Sequence, residues 1–145
     1  MNFATGLNIS SSGLTAERMR MNAIASNIAN INTTVTPQGG PYRRKEVVFE
    51  AMPQTKNFGE ILTSNSAQSL DRVQVTRVIN DPSAPIMKYE PDNPNANAQG
   101  YVAYPNINLM EEMTDMIQAS RSYQANVSAM QATKSMAMTA LEIGR

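Results

Sequence analysis

The sequence predicts a mainly α protein in which two long terminal helices form a coiled-coil-like pair around a small β-rich segment. Three observations carry that expectation. All eight prolines (37, 41, 53, 82, 85, 91, 94 and 105) fall in the middle of the 145 residues, and neither flank holds one. An interior proline costs a helix about 3 kcal/mol, so the flanks are free to be helical and the centre is not. Apolar residues recur at alternating steps of three and four in both flanks, whereas β-branched runs lie in the centre. The chain divides accordingly into residues 1–35, 36–105 and 106–145.

In the first segment Leu7, Ser10, Leu14, Glu17, Met21, Ile24, Ile28 and Ile31 follow the alternation, and six of these eight are apolar. The helix should stop between Thr33 and Pro37, where β-branched residues and proline oppose it. Gly6 and Gly13 weaken its early turns. In the centre Lys45–Glu50 (KEVVFE), Val73–Ile79 (VQVTRVI), Ile86–Tyr89 and Tyr101–Tyr104 read as short strands bounded by Pro, Gly and Asn. Residues 51–72, polar and poor in aromatics, read as a loop or a loosely held hairpin.

The last segment has the strongest period. Leu109, Met113, Met116, Ser120, Tyr123, Val127, Met130, Lys134, Ala137 and Leu141 lie on one 3.5-residue repeat, and eight of the ten are apolar or aromatic. Asn108 with Glu111 three residues later resembles a capping box, and Glu111, Glu112 and Asp115 suit the positive end of a helix dipole. Gly144 stands where a C′ glycine belongs. A helix over 108–143 would be ~54 Å long at ~1.5 Å per residue, longer than a chain of this mass can cover by itself.

Composition removes most functions. Twelve basic residues balance twelve acidic ones, which argues against a nucleic-acid partner. There is no His and no Cys, hence no common general base, no usual zinc ligand and no thiolate nucleophile. No serine-nucleophile or phosphate-loop pattern is present, so neither an enzyme nor a cofactor site is expected. Asp92–Gly100 (DNPNANAQG) is rich in Asp and Asn. Pro94, Ala96 and Ala103 nevertheless occupy calcium-ligand positions, so a turn-rich connector is expected there. Arg43-Arg44-Lys45 is the one basic cluster, and Glu46 and Glu50 close behind it point to a solvated or interface-facing loop. Residues 1–20 lack the basic start and apolar run of a Sec-type signal peptide. No apolar stretch approaches the roughly 20 residues of a membrane span, so no membrane insertion is expected.

Within this plan, four stretches resemble the rod and hook family of bacterial flagellar axial proteins: Ser26–Thr34 (SNIANINTT), Gly39–Phe49 (GGPYRRKEVVF), Tyr89–Asn106 (YEPDNPNANAQGYVAYPN) and Ala119–Val127 (ASRSYQANV). They occur in the family's order, and the resemblance spans roughly residues 7–50 and 82–145. It implies a non-enzymatic structural subunit of the proximal rod, exported through the flagellar type III apparatus without a cleaved signal and assembled in the periplasm. Its neighbours would be other copies, other rod proteins and the basal-body adaptor beneath them. Residues 51–81 carry no part of the resemblance.

Under that reading the seams are assembly surfaces, with Leu14, Met21, Ile28, Met116, Tyr123, Val127, Met130 and Leu141 at their apolar positions. Asn27, Asn30 and Asn32, together with Arg121, Tyr123, Gln124 and Asn126, would supply directional hydrogen bonds between otherwise interchangeable helices. Alternatively, several of them merely end the helix or face solvent. Glu17 and Lys134 are the only formal charges on the two seams. Matching Leu7 to Leu141 in an antiparallel pair puts Glu17 opposite residue 131, within a turn of Lys134. Either the two form a register-fixing ion pair or each reaches water independently. The rival reading of the whole chain is a soluble helical-hairpin binding module or a type III secreted effector, which would be folded by itself.

Overall fold

The two proline-free flanks are the two helices. The computed structural model describes residues 3–52 and 71–144, in the order α1 (Phe3–Ala29), β1 (Lys45–Met52), β2 (Arg72–Asn80), β3 (Ile86–Tyr89), β4 (Tyr101–Tyr104) and α2 (Leu109–Ile143). At ~1.5 Å per residue α1 is ~40 Å long and α2 ~52 Å.

α1 ends earlier than the β-branched and proline signals suggested. The Asn30 side chain donates to the Ser26 carbonyl at 2.8 Å and accepts from the Thr33 hydroxyl at 3.2 Å. The Ile31 and Thr33 amides then close short i−3 bonds to Ile28 and Asn30. An asparagine that competes for backbone groups unwinds the last turn before any proline is reached.

At the start of α2, Asn108 caps as expected, its Oδ1 accepting from the Met110 amide at 3.0 Å. Glu111 stays exposed and returns no bond to Asn108, so the capping box is only half made. Gly144 has φ −83°, so it ends α2 without the left-handed geometry of a C′ glycine.

The four strands form two antiparallel hairpins. β1 pairs with β2 from Lys45↔Asn80 to Met52↔Arg72, with a bulge between Val48 and Phe49. β3 pairs with β4 from Ile86↔Tyr104 to Tyr89↔Tyr101. Of the expected loop or loose hairpin at 51–72, Ala51, Met52 and Arg72 belong to the strands, and 53–70 lie outside the described residues.

α1 is the central element, packed on α2 on one side and on both β1 and β2 on another. Val102 of β4 and Ile107 just before α2 are buried, so the second hairpin is seated by its inner strand while β3 is exposed along its length. The small residues Ala16 and Ala119 are buried in the helices, as is Ile24. A Cβ added at Gly13 would lie 3.0 Å from Asn126 Nδ2 and 3.3 Å from its Cγ. That glycine lets the helices approach closely, which offsets its poor helix propensity.

Two contacts define the helix register. Asn27 meets Glu112, and Gly13 meets Asn126, so one position falls by fourteen as the other rises by fourteen. In this register Glu17 faces about residue 122 and Lys134 about residue 5. The flush pairing of Leu7 with Leu141 is off by about nine residues, and no ion pair joins Glu17 to Lys134 among the described residues. Lys134 is exposed, whereas Glu17 Oε2 is buried without a hydrogen-bond partner. Because α2 is the longer helix, the residues of α2 beyond about 136 have no α1 residue opposite them.

Candidate assembly interface

The best-defined site lies where the C-terminal turns of α1, the approach to β1 and the first turn of α2 converge. Asn27 is 1% exposed and spends its whole amide on three neighbours. Its Nδ2 donates to the Lys45 carbonyl and to Glu112 Oε2, both at 3.0 Å. Its Oδ1 accepts from the Lys45 amide at 2.8 Å and the Tyr42 hydroxyl at 3.1 Å. Towards Lys45 it behaves as one residue of a partner strand. The Tyr42 oxygen lies 3.0 Å from Ser26 Oγ.

Glu112 is likewise 1% exposed, and its Oε1 accepts from Arg44 Nε. The Arg44 guanidinium also reaches Asp115 at 3.5 Å and Glu46 at 3.9 Å, and Asp115 receives Arg20 of α1 at 3.7 Å. The Glu112 hydrogen bond, reinforced by the carboxylates around it, raises the Arg44 pKa above its ordinary value against the opposing pull of burial. Arg44 is therefore a permanent cation, and every buried polar atom at the Asn27–Glu112 contact is partnered.

This geometry corrects several sequence expectations. Asn27 points inward and joins its own helix pair; it is not on an outer assembly surface. Asn30 is used locally to end α1, and Asn32 is exposed. Glu112 and Asp115 do more than answer a helix dipole, since both hold arginines across the fold. In the basic cluster Arg44 is internal, while Arg43 and Lys45 are exposed, the Lys45 ammonium lying 5.7 Å from the Tyr42 ring centroid.

Asp92–Gly100 is a connector of side-chain turns. Asn93 Oδ1 accepts from the Asn95 amide at 3.1 Å and Asn97 Oδ1 from the Gln99 amide at 2.9 Å. Gly100 closes it at φ +81°, where a Cβ would lie 2.8 Å from the Tyr89 ring. No cluster of acidic residues among those described suits a metal ion, and no described helix is long and apolar enough to cross a membrane.

The α2 seam is also rotated from its expected phase. Glu112 and Ala119 are its buried positions, with Met116, Tyr123, Asn126, Val127, Met130, Thr133 and Ala137 half-buried along the same side. Leu109 and Met113, expected on the seam, are exposed, Met113 at 47%. A rule that counts apolar residues alone passes over a glutamate and undervalues an alanine at a close contact. On α1, Leu14, Met21 and Ile28 are half-buried.

Two apolar regions of α2 remain uncovered. Leu109, Met110, Met113 and Ile117 form a patch near its start; near its end Met136 and Ile143 stand on one side of the helix and Met138 and Leu141 on the other, with Leu141 75% and Ile143 82% exposed. Arg121 and Gln124 stand exposed between them.

Both helical flanks match known families. Residues 7–35 match the model described as "Flagella basal body rod protein", and residues 98–143 that described as "Flagellar basal body rod FlgEFG protein C-terminal". Over nearly its whole length the chain is 44% identical to the flagellar basal-body rod protein FlgC of Bacillus subtilis, with 96% of each chain covered. This chain belongs to the FlgC family of flagellar basal-body rod proteins. The FlgC of Borreliella burgdorferi is 40% identical, covering 99% of this chain and 98% of its own. That of Escherichia coli is also 40% identical, covering 94% of each. The FlgC match includes the stretch around 51–81 that no quoted motif reached, so the family resemblance read from four motifs extends along the chain.

Proposed function

We propose that the chain is a structural subunit of the flagellar basal-body rod, polymerising through α1 and α2 into a helical tube that transmits torque. The observation that carries this reading is the far end of α2, where Met138, Leu141 and Ile143 are exposed with no α1 residue opposite. An apolar stripe left open in one copy gains its stability when neighbouring helices bury it. Contacts between unlike surfaces that do not close on themselves build helical polymers.

In this scheme Leu14, Met21, Ile28, Met116, Tyr123, Val127 and Met130 pack the pair and its neighbours, and Leu141 docks on an adjacent subunit. The exposed side chains of Asn32, Arg121 and Gln124 give those contacts direction. The partners are other copies, other rod subunits of the proximal rod and the basal-body adaptor. The chain reaches them by type III export into the periplasm without a cleaved signal.

The test is the pair of substitutions Leu141→Asp and Ile143→Asp at the native locus. Cells should still make the protein but lose swimming, and isolated basal bodies should lack rods. Normal swimming by the double variant would remove the docking role.

A further inference from the structure

We infer that the Asn27–Glu112–Arg44 node selects the register of α1 against α2, holding the helices in a staggered pairing that their apolar pattern by itself does not specify. The inference rests on the rod-subunit reading only for the use to which the stagger is put.

The helix surfaces beyond the node are nearly interchangeable over a heptad. Along α2, one heptad step carries Met116 to Tyr123, Tyr123 to Met130, Ala119 to Asn126 and Asn126 to Thr133, all of them buried or half-buried. Surfaces so similar specify register weakly. If α2 slid by one heptad so that Gly13 faced Thr133, the first turn of α1 would come opposite residue 143. Leu141 and Ile143 would then take the places that Lys134 and Met136, both exposed, hold in the observed pairing. Apolar burial therefore separates the two pairings poorly, and the slipped one lies two residues short of the Leu7–Leu141 pairing that the heptad pattern suggests.

The node opposes that slip. In the slipped pairing Asn27 would face Ala119, and Glu112 would lie beyond the last turn of α1, away from Asn27 and Arg44. An amide and a carboxylate, each about 99% buried and fully partnered, would lose those partners. Polar groups that are satisfied in only one arrangement act against the alternatives, which is the best-attested use of a buried charge. The consequence is geometric. The node, some 25 residues away along α2, sets how much of the α2 end protrudes to meet a neighbour.

Disulfide trapping in the purified full chain tests this, because the chain has no cysteine of its own. A Cβ on Gly13 lies 3.3 Å from Asn126 Cγ, close to the separation that a disulfide spans. The pair Gly13→Cys with Asn126→Cys reports the staggered register, and Gly13→Cys with Thr133→Cys reports the slipped one. With the node intact, the first pair should close faster than the second by about tenfold or more. In a chain carrying Asn27→Leu, Arg44→Met and Glu112→Leu, both pairs should close at comparable rates while circular dichroism shows helix retained. Continued preference for 13–126 in that chain would overturn register selection. Loss of helix with no closure of either pair would also overturn it, since the node would then be needed for stability and not for choice. Motility plays no part in the assay, so its outcome is separate from that of the rod-subunit reading.

Discussion

At one end of the helix pair Asn27 and Glu112 are sealed from water and fully hydrogen bonded; at the other, Leu141 and Ile143 stand in solvent with no helix opposite. At these two ends the helices thus carry polar groups where they are buried and apolar groups where they are exposed. Between the ends Ala16, Ile24 and Ala119 bury apolar surface as in an ordinary amphipathic hairpin. Polar contacts of fixed geometry belong where one arrangement must be chosen inside a chain. Apolar surface belongs where the chain must be completed by another. The contrast places intramolecular order at the end near β1 and leaves the far end open, where the proposed rod subunit would meet its neighbour.

The comparison breaks most sharply at Glu112. Its replacement by Ala leaves the Arg44 guanidinium and Asn27 Nδ2 without their buried partner, and loss of one member of such a pair costs about 3–5 kcal/mol. Urea unfolding followed by circular dichroism should register that loss; a change near zero would mean that water reaches the site freely. Midway along the pair, Gly13→Leu drives a side chain into Asn126, and overpacking of this kind costs about 1–3 kcal/mol. The same substitution in an Asn126→Ala chain should cost less, and equal costs would show that the close approach is not the reason for the glycine.

A smaller effect is expected in the second hairpin. The Lys88 ammonium at 2.6 Å, with Asn93 and the Tyr104 hydroxyl, holds the Glu90 carboxyl down to about 2. A carboxylate depressed in the folded state stabilises it fully above the ordinary carboxylate range, and this contribution fades as pH falls towards 2. Glu90 should therefore stay ionised in an NMR titration through pH 4, where free glutamates take up protons, and a midpoint near 4 would contradict the triple contact. The least effect on the isolated chain belongs to Leu141→Asp. Exposed as it is, the substitution should shift unfolding stability by less than about 0.5 kcal/mol, in contrast with its expected effect on swimming. A large destabilisation would mean that the far end is covered within the chain after all.

The sequence reveals the elements of this fold well and their mutual placement poorly. Proline positions and β-branched runs located both helices and all four strands, because those signals act within a few residues. Asn108 was legible as a cap for the same reason. The register of α1 on α2 was not, since it depends on Asn27, Arg44 and Glu112, which are far apart in sequence and look like a motif asparagine, a basic loop and a dipole-compensating acid. Glu112 in particular was indistinguishable from Glu111 beside it, yet one is buried and the other exposed. The available hint was a polar Asn27 beside the apolar positions Ile24 and Ile28, which signals either a buried network or a helix end. Of the seam residues, Met116, Tyr123 and Met130 were placed on the side that is used; Met113 and Leu109 were not.

The antiparallel closure of α1 on α2 also orders events in time. Asn27 and Glu112 are 85 residues apart in the chain, whereas β3 and β4 are joined by a short loop. Hairpins form in about 1–10 μs, and contacts between distant residues come later because a larger loop must be closed first. A chain threaded from its first residue through a narrow channel would deliver α1 long before its partner, so the helical pair could close only once α2 had followed.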